Sequence, residues 1–133
     1  MCLEKLSPGL PKWKEGYKTM WQKEDGIYGE VKLRGKKRPE GRWIDESEFA
    51  FSETKQIQTY SPSCEQSYPR GWHVFKLLKD AKRWMEFPYI SSAYVVRKVK
   101  CRKPLAHGSQ DCLEVGVFKE IMFVEREKGG PTP

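Results

Sequence analysis

The residue pattern best suited to chemistry is an interleaving of aromatic and cationic side chains in the second half of the chain. Aromatic rings stack on nucleobases while Lys and Arg neutralise phosphates, so this combination suits a nucleotide or a single-stranded nucleic acid. The candidate ligand-binding residues of this segment are His73, Lys76, Lys79, Arg83, Tyr89, Tyr94, Arg97 and Lys98. Trp72 and Trp84 accompany them, but Trp84 falls on an apolar stripe with helical spacing, which places it in the core.

A second cationic segment, residues 34–42 (RGKKRPEGR), combines two glycines and a proline with five positive charges. Gly and Pro interrupt regular structure, so the sequence predicts a solvated loop. Its cations could clamp phosphates without reading base sequence, and a loop without any ligand is the equal alternative. The candidate ligand-binding residues here are Lys36, Lys37, Arg38 and Arg42.

His73 is the side chain best suited to acid–base work, because histidine titrates closest to neutral pH. It has no evident catalytic partner in the sequence, which favours a hydrogen-bonded histidine packed under the sheet. Cys2 would be an N-terminal nucleophile if Met1 were removed, but no oxyanion hole is recognisable. The sequence contains no nucleophile elbow, P-loop or paired-carboxylate motif, so catalysis is not the favoured interpretation.

The cysteines and histidines predict no metal site. Cys2, Cys64, Cys101 and Cys112 form no Cys-x-x-Cys pair, and the chain has two histidines without ligand spacing. Cys101 and Cys112 could face each other across a hairpin, although proximity alone would not make a disulfide. No secretory signal is recognisable at the N-terminus, so we expect reduced thiols and a cytoplasmic location, and we expect no cofactor.

Composition predicts one packed basic domain. The 133 residues are 38% hydrophobic and 32% charged, and no apolar run approaches the ~20 residues of a membrane span. Lys and Arg number 25 against 18 Asp and Glu, a formal net charge of +7. Residues 71–103 carry nine basic against two acidic residues, and residues 32–42 carry six against one. Such a polarised surface attracts nucleic acid, a nucleotide or an acidic protein.

Apolar spacing predicts the elements that position these residues. Residues 16–22 alternate, Asp25-Gly26 signals a turn, and residues 27–33 return as a second strand. Residues 71–75 read as a strand leading into a helix over about residues 77–86. That helix has a buried stripe of Leu77, Leu78, Ala81, Trp84 and Met85. Further strands are expected at 93–101, 113–118 and 120–124, with a turn at 107–111.

These elements indicate an α+β fold, a small mostly antiparallel sheet with one principal helix packed on one face. The domain is expected to span residues 1–128, with an irregular arm at 1–12 and a disordered tail at 129–133. The long loop at 45–70 is expected to cover or frame a site. If the chain self-associates, a two-fold homodimer is the expected arrangement.

Several short motifs resemble a group of uncharacterised small proteins encoded by bacteriophages and prophages. The shared features are Met1-Cys2-Leu3, Gly16-Tyr17-Lys18, the Gly-x-His-x-Phe segment at 71–75, Asp80-Ala81, the basic strand at 94–100, the turn at 106–110 and Lys119-Glu120-Ile121. The resemblance covers most of the chain and implies a viral origin without assigning an activity. One departure is Leu77, where a Thr-like helix cap would be expected.

A second resemblance is to the ADP-ribosyltransferase fold, with Tyr17, His73 and Glu120 in the order of that superfamily's three motifs. It implies an enzyme that uses NAD, although the Arg or His of the first motif and the Ser-Thr-Ser element are absent. The leading hypothesis is instead a non-catalytic phage accessory protein that binds a nucleotide-like signal or nucleic acid, such as a host-defence antagonist. A third hypothesis is a protein-interaction module that docks on an acidic host protein.

Overall fold

The computed structural model describes residues 3–28, 37–49, 56–59, 66–84 and 94–124. The strands in these ranges are β1 (Lys5–Leu6), β2 (Glu15–Lys23), β3 (Gly26–Ile27), β4 (Ile44–Asp45), β5 (Gln56–Gln58), β6 (Ser67–Pro69), β7 (Trp72–Phe75), β8 (Tyr94–Gln110) and β9 (Leu113–Phe123). The helical elements there are one α-helix, α1 (Leu78–Trp84), and a 3-10 turn at Glu46–Phe49. The predicted α+β fold, with a mostly antiparallel sheet and a single principal helix, is confirmed.

Four of the strands form a closed set of pairings. β8 has 17 residues and pairs with β2 through residues 94–100 and with β9 through residues 99–110. β7 lies between β2 and β9 and pairs antiparallel with both. The order β8–β2–β7–β9 therefore returns to β8, so the sheet must curve strongly, as in a small barrel.

The β8–β9 hairpin differs from the turn and strands predicted for the C-terminal part of the chain. The turn expected at 107–111 lies at Asp111 and Cys112, whose φ angles are 50° and 66°. Two successive residues with positive φ are what a two-residue type I′ hairpin turn requires. The two closing strands expected at 113–118 and 120–124 are one continuous strand, β9.

The suggested facing of Cys101 and Cys112 is wrong. Cys101 lies opposite Ile121 near the far end of the hairpin, whereas Cys112 is in its turn. The error follows from the position of the turn, because β8 continues nine residues beyond Cys101. Cys101 is a buried free thiol and Cys112 an exposed one.

Helix α1 packs against β2, β7 and β8, but its buried stripe is narrower than predicted. Ala81 and Trp84 are buried, whereas Leu77 and Leu78 are 40% and 39% exposed. Leu77 precedes the helix, and the seven residues of α1 form only about two turns over the sheet. The predicted continuation to residue 86, including Met85, lies outside the described residues.

Two segments predicted as irregular contain pairing strands. The arm at 1–12 includes β1, which pairs with the second half of β8, and Leu3, which is fully buried. The loop at 45–70 contributes to β4, forms the 3-10 turn and supplies the two-stranded sheet of β5 and β6. The expected return strand is seen as β3, while residues 29–33, Cys2, Cys64 and the tail at 129–133 lie outside the described ranges.

Candidate functional site

Four of the predicted ligand-binding residues are buried: Tyr94, Arg97, Arg38 and His73. Tyr94 is 6% exposed, which corrects its assignment as a ligand contact. The side chain of Arg97 is 4% exposed, and its guanidinium pairs with Glu40 and donates to the Val124 carbonyl at 2.9 Å. These contacts join β8 to the segment around Glu40 and to the residue that follows β9. The role of Arg97 is therefore to anchor these segments, which corrects its assignment as a ligand contact.

The remaining predicted cations are spread over separate surfaces. Lys76, Lys79 and Arg83 are exposed on and before α1, where Lys76 pairs with Glu114 at 3.7 Å. Lys98 is exposed on β8 and pairs with Glu15 at 3.4 Å.

The predicted ligand-binding residues of the 34–42 segment differ in how far they are buried. Lys37 and Arg42 are exposed, and Arg42 pairs with Glu48 at 3.3 Å. Arg38 is 5% exposed, and its guanidinium lies 4.2 Å from the centre of the Phe49 ring, which corrects its expected place in a solvated loop. Lys36 and Tyr89 lie outside the described residues.

His73 is packed and hydrogen bonded, as the structural interpretation of the sequence expected. Its Nε2 lies 3.0 Å from the Tyr68 hydroxyl, which also accepts a hydrogen bond from the Leu3 amide at 2.9 Å. Burial, with the neighbouring charge of Lys18, lowers the pKa of His73 to about 3. The imidazole is therefore neutral at physiological pH and is hydrogen bonded to Tyr68 through Nε2.

The structure does not present Tyr17, His73 and Glu120 to one ligand. Tyr17 lies opposite Phe75 on β7, and His73 is buried two residues further along that strand. The Glu120 carboxylate, on β9, binds Arg102 and Lys103. The convergence that an NAD-using enzyme requires is absent among these three residues.

The structure instead combines aromatic and cationic residues at a cleft of about 630 Å³, which we call the Trp13–Trp43 cleft. It lies where residues 11–15, at the start of β2, and Trp43, just before β4, meet residues 100–104 of β8. Its lining consists of Pro11, Lys12, Trp13, Lys14, Glu15, Trp43, Lys100, Cys101, Arg102, Lys103, Pro104 and Phe118. Five of these twelve residues are cations, one is an acid and two are tryptophans.

Trp13 is held in a slot formed by two glycines. Its ring packs edge-on against Phe118 with 5.0 Å between ring centres. A Cβ on Gly16 would lie 3.1 Å from the indole, and a Cβ on Gly116 would lie 2.7 Å from it. Trp13 therefore packs in this way only because both positions are glycine. The Lys14 carbonyl accepts a hydrogen bond from the Cys101 amide at 2.8 Å and fixes this segment to β8. Trp13 is therefore a rigid aromatic wall of the cleft.

Trp43 forms another wall together with Arg102. The Arg102 guanidinium lies 4.0 Å from the centre of the Trp43 ring, within cation–π range. Glu120 lies opposite Arg102 across the β8–β9 pair and accepts from its Nε at 2.6 Å. The same Glu120 oxygen lies 3.2 Å from Lys103 Nζ, and these partners hold the pKa of Glu120 below its ordinary value.

Lys103 marks an irregular point of β8 at the cleft. Its φ is 58°, in the left-handed region that residues other than glycine seldom adopt. The pairing register with β9 then shifts between Pro104 and Ala106, a β-bulge. Backbone irregularities of this kind re-aim side chains and concentrate at functional sites.

Sequence reasoning missed the residues of this cleft, although two signals for them exist. Trp13 stands between Lys12 and Lys14, and Trp43 follows Arg42. Lys98 and Lys100 alternate along the strand predicted at 93–101 and share one face, and Arg102 continues this spacing one residue past the predicted end. The missing information was the β8 bend, which brings these distant segments together.

Among the described residues, no group of three or more His, Cys, Asp or Glu side chains is arranged to hold a metal ion. No helix in the described ranges is long and apolar enough to cross a membrane.

Comparison with known proteins gives no relative: no family model, curated protein or solved structure significantly matches the chain. The resemblances to phage proteins and to ADP-ribosyltransferases therefore stay predictions.

Proposed function

We propose that this protein is a non-catalytic binding module that takes an anionic, ring-bearing ligand of the nucleotide class in the Trp13–Trp43 cleft. The observation that supports this function is the meeting of two tryptophans and five cations at one concave surface. Aromatic rings provide stacking for a base, and Lys and Arg neutralise phosphate.

The charge balance of the cleft favours an anion. The cations Lys12, Lys14, Lys100, Arg102 and Lys103 outnumber the acids Glu15 and Glu120 at the cleft and beside it. The arginine is already oriented, because Glu120 and the Trp43 ring fix its guanidinium plane. Orientation before binding lowers the entropy lost when a ligand is held. A volume of about 630 Å³ lies within the ordinary range for small-molecule sites.

The chemistry of the lining favours binding over turnover. Cys101 is the one nucleophilic thiol of the lining, and burial raises its pKa to about 12, so it stays protonated near neutral pH. A protonated thiol is a poor nucleophile. Neither His73 nor Tyr17 lines the cleft. Binding without catalysis agrees with the leading sequence hypothesis.

The resemblance to phage proteins supports a narrower version of this proposal. A small viral protein that binds a nucleotide tightly and does not transform it would remove a nucleotide messenger from the host cytoplasm. Such sequestration would make the protein an antagonist of a host defence that uses the messenger. The charge and aromatic content of the cleft suit that role.

Calorimetric titration of AMP, ATP and inorganic triphosphate tests the proposed function. We expect saturable binding of the nucleotides, and weaker binding of triphosphate because it has no ring to stack. The double variant Lys100→Gln/Arg102→Gln should lose at least tenfold in nucleotide affinity. The matched control Lys79→Gln/Lys82→Gln removes the same charge from α1 and should keep it. No detectable binding of AMP or ATP, or an equal loss of nucleotide affinity in both double variants, would contradict the proposal.

Docking on an acidic host protein is a second candidate, supported by the surface at the start of α1. Leu77 and Leu78 are 40% and 39% exposed, with Lys76 and Lys79 exposed on either side. An exposed apolar pair within a basic rim suits an acidic protein partner. Salt-sensitive capture of an acidic protein that Leu78→Asp abolishes, without nucleotide binding, would favour this function over the first.

A further inference from the structure

The exposed face of β8 carries a row of cations that runs beyond the Trp13–Trp43 cleft. Lys98, Lys100 and Arg102 occupy alternating positions, and all three are exposed. Alternate residues of a strand point to the same face, about 7 Å apart. This separation is of the order of the distance between successive phosphates in an extended single strand of nucleic acid.

The row is longer than one nucleotide needs. Lys100 and Arg102 line the cleft, whereas Lys98 does not. Glu15 connects the two regions, since it lines the cleft and pairs with Lys98 at 3.4 Å. Both members of that pair are about half exposed, and an exposed pair of this kind contributes little, so a phosphate can compete for Lys98.

The aromatic residues show which part of such a strand would enter the cleft. Trp13 and Trp43 offer ring surfaces inside a concave site, which a base reaches only when it is unpaired and unstacked. A regular row of cations beside aromatic rings tracks a backbone without reading base edges. A duplex would present its phosphates but keep its bases away from the two rings.

We infer that the ligand of this site is a short single-stranded nucleic acid, with one base in the Trp13–Trp43 cleft and its backbone along Lys98, Lys100 and Arg102. This inference rests on the proposed function and narrows its ligand from the nucleotide class to a polymer. It also assigns Lys98 a role in binding that the cleft alone would not give it.

Titration of thymidine 5′-monophosphate, a dT8 oligonucleotide, an rU8 oligonucleotide and a G·C-rich DNA hairpin duplex tests the inference. We expect at least one octanucleotide to bind tenfold or more tightly than the monophosphate and more tightly than the duplex. The relative affinities of dT8 and rU8 show whether the strand is DNA or RNA. Lys98→Gln should weaken the preferred octanucleotide several-fold and leave the monophosphate within twofold.

Salt dependence gives a second readout. The slope of log K against log salt should become shallower by about 0.7 in Lys98→Gln, the loss of one single-strand phosphate contact. Lys79→Gln, which removes a cation from α1, should change neither slope nor affinity. Equal affinities for monophosphate and octanucleotides, or tighter duplex binding, would overturn the inference while nucleotide binding stands. Absence of binding by every probe would overturn the proposed function as well.

Discussion

At the scale of single residues, we propose that Glu120 orients cations of the cleft instead of acting in the catalysis that the ADP-ribosyltransferase resemblance implies. Its carboxylate binds Arg102 at 2.6 Å and Lys103 at 3.2 Å, the positions from which these cations would meet a phosphate. It therefore orients the two cations and also lowers the positive potential that a ligand experiences. A carboxylate so placed competes with an anionic ligand.

Glu120→Gln should strengthen anion binding. The amide keeps a hydrogen-bond acceptor for Arg102 but removes one negative charge, so we expect the affinity for ATP to rise several-fold at low salt and the gain to shrink as salt screens it. Calorimetry at two salt concentrations measures this. The matched control is Glu114→Gln on the same strand, which pairs with Lys76 away from the cleft. Weaker ATP binding in Glu120→Gln would contradict this account.

Lys18 makes the stability of the protein depend on pH. It is fully buried on β2, and its Nζ donates to the His73 carbonyl at 2.6 Å. Burial, with the nearby charge of Arg38, lowers its pKa from 10.5 to about 7. Between these two values the unfolded chain binds more protons than the folded one. The free energy of unfolding should therefore gain a contribution from Lys18 as pH rises from about 7 to about 10.5.

Lys18→Met should remove this contribution. As pH rises through that window, we expect the wild type to gain up to about 1.4 kcal/mol of unfolding free energy per pH unit relative to the variant. Urea unfolding at pH 7, 8 and 9 measures the difference, with Lys79→Met on the surface of α1 as the control. Parallel pH curves for the wild type and Lys18→Met would show that the buried amine keeps its ordinary pKa.

At the scale of elements, the β8–β9 hairpin has a turn whose geometry its residues do not favour. Cys112 has a φ of 66°, where a residue with a Cβ is strained and glycine is not. Asp-Gly is a preferred pair for this turn type. Cys112→Gly should therefore raise the free energy of unfolding by about 1 kcal/mol, measured by urea unfolding. Cys112→Ala retains the Cβ and should change stability little; equal effects of the two variants would contradict this account.

The sequence predicted elements with strong local patterns and missed those that depend on distant partners. The strand at 72–75, the β2–β3 hairpin and the helix near Ala81 and Trp84 follow from periodicity and turn residues. The pairing of β1 with β8 could not be predicted, because two residues have no periodicity of their own. The turn was predicted too early, at 107–111, because the Asp111–Cys112 pair that forms it lacks the usual glycine.

At the scale of the whole molecule, the pairing ring of β8, β2, β7 and β9 explains why the site was not predicted. The ring bends β8, so that segments around residues 13, 43 and 102 meet although they are far apart in the chain. Composition predicted a basic-aromatic surface and an anionic ligand. The same composition could not show that Tyr94 and Arg97 turn inward while Trp13 and Trp43 line the cleft.

The most direct test of the central claim is an NMR titration of the tryptophan indole N–H signals with AMP. Two of the five tryptophans, Trp13 and Trp43, line the cleft, and the others lie elsewhere in the fold. We predict saturable shifts of the Trp13 and Trp43 signals, while that of Trp84, which is 7% exposed and packs against Phe75 under α1, stays in place. Unchanged Trp13 and Trp43 signals at saturating AMP, or shifts confined to Trp21 on the β2–β3 hairpin, would contradict the assignment of the ligand to the Trp13–Trp43 cleft.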